Sequence, residues 1–182
     1  MKIRNLVLLL IGTLPLMAFD CVVDQSGSDF NVTISPDPLN ATYVINPGTS
    51  LTYGGSAVVP ASVWFNNSDY DITSVSVFDI KVSTAGPDLG NCAGDVTVNG
   101  QVLFHYAGPW ATFKAAPQSL LTSPLITGRN PAVMKALITA INSRQNVTLA
   151  VVNGTITTAA AIVGSSVNLS AYFQASGHKR GD

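Results

Sequence analysis

The sequence predicts a mainly β protein, an antiparallel β-sandwich carrying one short amphipathic helix. Three observations lead there. Runs rich in Val, Ile, Thr and aromatic residues recur along the 182 residues, separated by Gly, Pro and Asn, as in short strands joined by turns. Several runs alternate apolar and polar residues, the period of a half-buried strand. One segment, about 131–142, switches to a period near 3.6 residues.

Strands are expected over residues 30–34, 42–45, 57–65, 72–82, 95–98, 101–106, 146–152, 155–163 and 166–173. In 30–34, Phe30, Val32 and Ile34 alternate with Asn31 and Thr33. In 72–82 the inward phase slips, with Val75 and Val77 giving way to Phe78, Ile80 and Val82, which predicts a β-bulge. Asn99-Gly100 and Asn153-Gly154 predict two-residue hairpin turns, because both residues accept positive φ. Asn130-Pro131 supplies an N-cap and a proline at the first helical position. Met134, Leu137, Ile138 and Ile141 then follow at i, i+3, i+4 and i+7, so a helix packed on a sheet should end near Asn142. Residues 117–126 are expected to hold a further helical turn.

The N-terminal segment reads as an address. Lys2 and Arg4 precede an apolar run over 6–16, and Ala18 ends it, the layout of a cleaved signal peptide at 1–18. The run is short of the ~20 apolar residues that cross a bilayer, so no membrane anchor is expected. Residues 19–182 then form a single secreted β-rich domain with a polar C-terminal tail from Gln174. Cys21 and Cys92 are the only cysteines, and in an oxidising compartment they are expected to pair. Closing a loop of that length contributes roughly 4 kcal/mol in the chain-entropy treatment.

Charge is sparse. Charged residues make up 10% of the chain, and nine cations against ten aspartates, with no glutamate, leave a net charge of −1. That balance excludes a basic nucleic-acid binder and an acidic disordered chain. The few charges are unevenly placed. Residues 19–95 sum to −8 and residues 96–182 to +5. Opposite ends of that kind attract neighbouring copies when they occupy different faces.

Six N-x-S/T sequons start at Asn31, Asn40, Asn66, Asn146, Asn153 and Asn168. Thirteen Asn and 33 Ser or Thr predict about two by chance, so six behind a signal peptide point to N-glycosylation. Alternation turns Asn31, Asn146 and Asn168 away from the core, and the other three fall at turns or strand ends.

The stretch Val63-Trp64-Phe65-Asn66-Asn67-Ser68-Asp69-Tyr70-Asp71-Ile72 resembles the opening of LEA type 2 (WHy-like) domains, where a strand passes through an Asn-containing turn into a second strand. Met134–Ile141 followed by Val147-Thr148-Leu149-Ala150-Val151-Val152-Asn153-Gly154 is similar to their closing helix and strand. The likeness spans residues 57–173, with Asn67 standing where that family usually has proline. It implies a helix-bearing β-sandwich and a link to desiccation or dormancy. The whole profile, secreted, sequon-rich and β, also resembles the slime-mould encystment proteins called spherulins.

Catalytic constellations are sparse. His105 reads as a surface strand residue and His178 as part of the tail, and there is no G-x-S-x-G elbow. Asp69 and Asp71 offer paired carboxylates, the chemistry of glycoside hydrolysis, although Asp-Tyr-Asp also suits a solvated turn. Trp64, Trp110, Tyr106 and Phe113 offer either a sugar-stacking platform or core. Arg180-Gly181-Asp182 ends the chain with an adhesive-type tripeptide. No metal or cofactor is expected. The expected function is a non-enzymatic, secreted, N-glycosylated structural protein of an extracellular coat, cyst or spore wall or matrix, tied to dormancy or stress. Its expected partners are wall or matrix components and further copies of itself. The alternative is a carbohydrate- or ligand-binding, adhesive module; a third class is a small hydrolase using Asp69, Asp71 or His105.

Overall fold

In the computed structural model, residues 29–34, 52–65, 70–157 and 165–179 are described. In chain order they form β1 (Asp29–Ile34), β2 (Thr52–Val59), α1 (Ser62–Phe65), β3 (Tyr70–Ala85), β4 (Asn91–Val98), β5 (Gln101–Pro109), α2 (Trp110–Ala115), β6 (Gln118–Ser119), β7 (Ile126–Thr127), α3 (Pro131–Asn142), β8 (Val147–Ile156) and β9 (Ser166–Lys179). The expected signal segment, Cys21, the strand at 42–45, Asn40, Asn66, Asp69 and residues 180–182 lie outside the described residues.

The strands form two antiparallel sheets, one in the order β1-β9-β3-β6 and the other β2-β8-β4-β5-β7. Their inner faces make one core. From the first sheet come Ile80 and Val82 of β3 and Val167, Leu169 and Phe173 of β9; from the second come Val147, Leu149 and Val151 of β8, Val96 of β4 and Phe104 and Tyr106 of β5. Alternation is cleanest in β9, where every odd residue from Val167 to Gly177 is buried and the even ones lie outward. The β-sandwich with a short helix is the fold the sequence predicts.

Turn chemistry explains both agreement and correction. Asn99 (φ 48°) and Gly100 (φ 82°) form the β4–β5 hairpin turn as expected. Asn153-Gly154 does not turn the chain. It lies inside β8, with Asn153 at φ 54°. Residues 155 and 156 continue the strand, opposite Thr52 of β2 and opposite Ala93 and Cys92 of β4. Both neighbours slip register at this level, between Tyr53 and Gly55 and between Ala93 and Asp95. The dipeptide makes a bulge inside a sheet, between β2 and β4, a second use of positive φ that local sequence does not separate from a hairpin. The bulge expected in β3 is present, between Val77 and Asp79, with another between Ile72 and Ser74.

Other expectations shift. The strand expected over 57–65 ends at Val59, and residues 62–65 turn into α1. Residues 117–126 hold turns and the two short strands β6 and β7, with no helix. The tail expected from Gln174 is strand, since β9 runs to Lys179 between β1 and β3. His178 therefore stands opposite Asp29 and Asp71 in register.

The helix α3 spans the expected residues, and the Asn130 side chain accepts from the backbone N–H groups of Ala132 and Val133. Its deeply buried residues are Val133, Leu137, Ala140 and Ile141, so the stripe is rotated from the expected one and Met134 is only partly covered. At its last turn, Asn142 Oδ1 accepts from Val75 N at 2.8 Å and Nδ2 donates to Val75 O at 3.0 Å. One amide side chain thus substitutes for a strand partner where β6 does not reach. Between β5 and β8, the elements α2, β6, β7 and α3 close one side of the sandwich as a wall. Trp110 and Phe113 of α2 are fully buried beneath it.

Candidate functional site

The outer face of the second sheet carries an ionic row drawn from three strands. Register places Asp95 of β4 beside His105 of β5, and His105 beside Thr127 of β7. His105 Nδ1 lies 2.8 Å from Asp95 Oδ1. A carboxylate only accepts, so Nδ1 carries the proton, and in the neutral ring Nε2 is the basic nitrogen. From the other side, Asn153 Nδ2 donates to Asp95 Oδ2 at 2.8 Å. First the Asn153 amide and then the His105 ring hold the Asp95 carboxyl below the ordinary carboxylate range. The His105 side chain is 45% exposed and that of Asp95 22%.

The bulge of β8 builds this row. Positive φ at Asn153 lets its amide reach across to Asp95. Behind it, Gly154 leaves room for the Tyr53 ring, which a Cβ would meet at 2.6 Å, and Gly94 leaves room for Tyr106, whose hydroxyl a Cβ would meet at 2.7 Å. The two tyrosine hydroxyls meet at 2.6 Å inside the sheet, and Tyr53 Oη donates to Ala93 O at 2.9 Å. Tyr106 is then the donor to Tyr53. Burial pushes the Tyr53 phenol far up, so it stays protonated and keeps donating.

Chemically the row offers one oriented imidazole with a basic Nε2. Among the described residues no hydroxyl or thiol is hydrogen-bonded to it, and no three His, Cys, Asp or Glu side chains converge as metal ligands. The geometry supplies a hydrogen-bond acceptor or proton acceptor on an open sheet face, without an assembled nucleophile.

The sequence-predicted residues distribute as follows. Asn146 is exposed just before β8, and its Oδ1 accepts from Ala61 N at 3.0 Å, leaving Nδ2 outside that bond. Asn153 is exposed, and its bond to Asp95 uses one of its two Nδ2 hydrogens. Asn168 is partly exposed on the outward side of β9, with Oδ1 accepting from Ser166 Oγ at 3.4 Å. Asn31 lies in β1 opposite Ser176 of β9. Cys92 is buried and forms no bridge among the described residues, and burial pushes its thiol up to about 12. Asp71 is exposed in β3. Tyr106, Trp110 and Phe113 are fully buried core, so they form no sugar-stacking platform. Trp64 lies in α1.

The Asn153–Asp95–His105 row was hidden from sequence reasoning. His105 was legible as a surface strand residue, but Asp95 sits ten residues away and Asn153 fifty-eight from Asp95. The available signal was the hairpin turn at Asn99-Gly100, which places residues 95 and 105 on facing strands.

The first sheet presents a different surface. Outward positions of β9 are Asn168, Ser170, Tyr172, Gln174 and Ser176, and β3 adds Ser76, Lys81 and Ser83 beside them. Lys81 Nζ lies 4.5 Å from the Tyr172 ring centroid. Hydroxyls and amides dominate, with one cation over one aromatic face. No helix among the described residues is long and apolar enough to cross a membrane. Set against family models, curated proteins and solved structures, the chain has no significant match.

Proposed function

We propose that the chain is a non-enzymatic, secreted and N-glycosylated structural protein of an extracellular coat, cyst or spore wall or matrix, made in dormancy or stress. The observation that carries the reading is the placement of the described sequons. Asn146 and Asn153 are exposed and Asn168 is partly exposed, each outside the sandwich, with room for a bulky sugar. The Ser-, Asn- and Gln-rich outward face of the first sheet supports it, because it is hydrated mainly by hydroxyls and amides and its few charges give little of the repulsion that keeps soluble proteins apart. A Cys21–Cys92 bridge belongs to the same reading.

The test is secretion from a eukaryotic host followed by enzymatic removal of N-glycans and fractionation of coat-forming cells. The mature chain should begin near Phe19, gain gel mobility after deglycosylation and enrich in the insoluble wall fraction. Unchanged mobility removes the glycoprotein part, and a freely soluble protein removes the coat part. The first sheet's outer face, with Lys81 over Tyr172, favours one second reading, a carbohydrate-binding module. Saturable binding of a neutral oligosaccharide that is lost in Tyr172→Ala would establish it.

A further inference from the structure

The wall of α2, β6, β7 and α3 has a composition unlike the rest of the chain. No Asp or Glu occurs between Asp95 and Asp182, and no sequon starts between Asn66 and Asn146. Within this carboxylate-free, sequon-free stretch lie Lys114, Arg129, Lys135 and Arg144, all exposed. Among the described residues none of the four has a carboxylate within salt-bridge reach. Three of them hold backbone carbonyls instead. Arg144 Nη2 donates to Ile72 O at 3.4 Å, Arg129 Nε to Leu120 O at 2.6 Å and Nη2 to Ser123 O at 2.9 Å, and Lys114 Nζ to Gly86 O at 2.7 Å. A carbonyl contact fixes a cation without cancelling its charge.

These anchors order the cations along β3. Arg144 sits at the level of Ile72. Arg129 grips Leu120, whose N–H bonds Ile80 O at 2.8 Å, and Lys114 sits at Gly86 just past the strand end. Steps of eight and six residues at about 3.3 Å each separate the anchors by roughly 20–26 Å. That exceeds the ~8 Å screening length at physiological salt. The cations therefore act as separate points, too far apart to share one small anion and suited to successive charges of an extended polyanion.

We propose that this wall is a binding face for an extended acidic polysaccharide, sulfated or carboxylated. The proposal deepens the coat reading, since it names what a glycosylated wall protein would grip. One observation favours a polysaccharide over a nucleic acid. The aromatic rings of α2, Trp110 and Phe113, are fully buried. Binding of single-stranded nucleic acid relies on exposed rings for base stacking.

The experiment uses the purified secreted glycoprotein with heparin as the sulfated probe and polygalacturonate as the carboxylated one. Affinity is measured between 50 and 300 mM salt. For four cations engaged, log K against log salt should fall with a slope of about −3, taking about −0.7 per contact as for a flexible polyanion. Lys114→Gln with Lys135→Gln should roughly halve the slope and weaken binding at low salt by about tenfold or more. Lys114→Arg with Lys135→Arg should restore both, which separates charge from folding. An unchanged slope in the glutamine pair overturns the proposal. Single-stranded DNA displacing heparin at a lower concentration overturns it in favour of nucleic acid. Salt-sensitive self-association without polymer, lost in the same glutamine pair, overturns it in favour of a second copy of the chain. A protein that binds the probes yet stays out of the wall fraction leaves this inference standing while the coat reading fails.

Discussion

Strands β8 and β9 and the wall between β5 and β8 treat their polar groups in opposite ways. Along β8 and β9 the backbone N–H and C=O groups are used up by neighbouring strands on both sides, so outward side chains are spared for the surface. These are mostly uncharged, and they include Asn153 and Asn168. The wall is made of helices, turns and two-residue strands, and the carbonyls of Leu120 and Ser123 within it and of Gly86 beside it lie outside any strand ladder. There Lys114 and Arg129 donate to them, at Ser123 alongside the Ile126 N–H. Two of the wall's cations, Arg129 and Arg144, stand where regular structure stops, while Lys114 and Lys135 lie in α2 and α3.

The largest expected break in this contrast is in the wall's footing. Trp110 is fully buried, so Trp110→Ala should cost about 3–5 kcal/mol in denaturant unfolding. Its Nε1 has no hydrogen-bond partner, and a buried unpaired donor costs about 1–3 kcal/mol. Trp110→Phe should therefore destabilise far less than its lost volume suggests. By contrast Gln174→Ala, on an exposed position of β9, should stay within about 0.5 kcal/mol. Similar losses at positions 110 and 174 would erase the distinction.

Arg129→Ala should cost about 1–2 kcal/mol, because water replaces its two carbonyl bonds only in part. Arg129→Lys should not restore the loss, since one ammonium lacks the guanidinium fork. Hydrogen exchange of the Ser123 and Ile126 amides should rise in both variants. Next in size is Asn130→Ala, which removes the acceptor of two N–H groups at the start of α3 and should cost about 1 kcal/mol. Asn130→Asp should keep most of that stability.

The smallest effect is on the sheet face. The Asp95 carboxyl is held below its ordinary 3.8 by Asn153 and then His105. The folded chain keeps this group ionised where the unfolded chain already takes up a proton. The row therefore stabilises above the ordinary value and loses that contribution as pH falls through the lowered one. Asp95→Asn should flatten the acid limb of stability against pH, with little change in the limb above neutrality. Superimposable acid limbs would show that the row is electrostatically idle.

How much was legible in the sequence follows the range of the interactions involved. The strands of β3 to β5 and β9, the Asn99-Gly100 turn, the β3 bulge and the capped helix α3 rest on neighbours a few residues apart, and each left a readable pattern. The helix α2 left little. Pro109 makes no side-chain cap, and six residues with Trp110 and Phe113 three apart fit several structures equally well. Those two rings illustrate the same limit, since composition favours a core for them but also allows an exposed platform.

By itself the sequence determined the fold class, the alternation that turns Asn168 outward, and the uneven charge. Each is a property of residue type and local period. The tertiary structure alone decided that Asn153-Gly154 is a bulge, because only the continued pairing of residues 155 and 156 with β2 and β4 tells a bulge from a hairpin. It alone joined Asn153, Asp95 and His105, which come from three strands. It also set Arg144, Arg129 and Lys114 in line along β3, because each is placed by a carbonyl remote in sequence or presented by a turn, and such partners exist only once the sheets have closed.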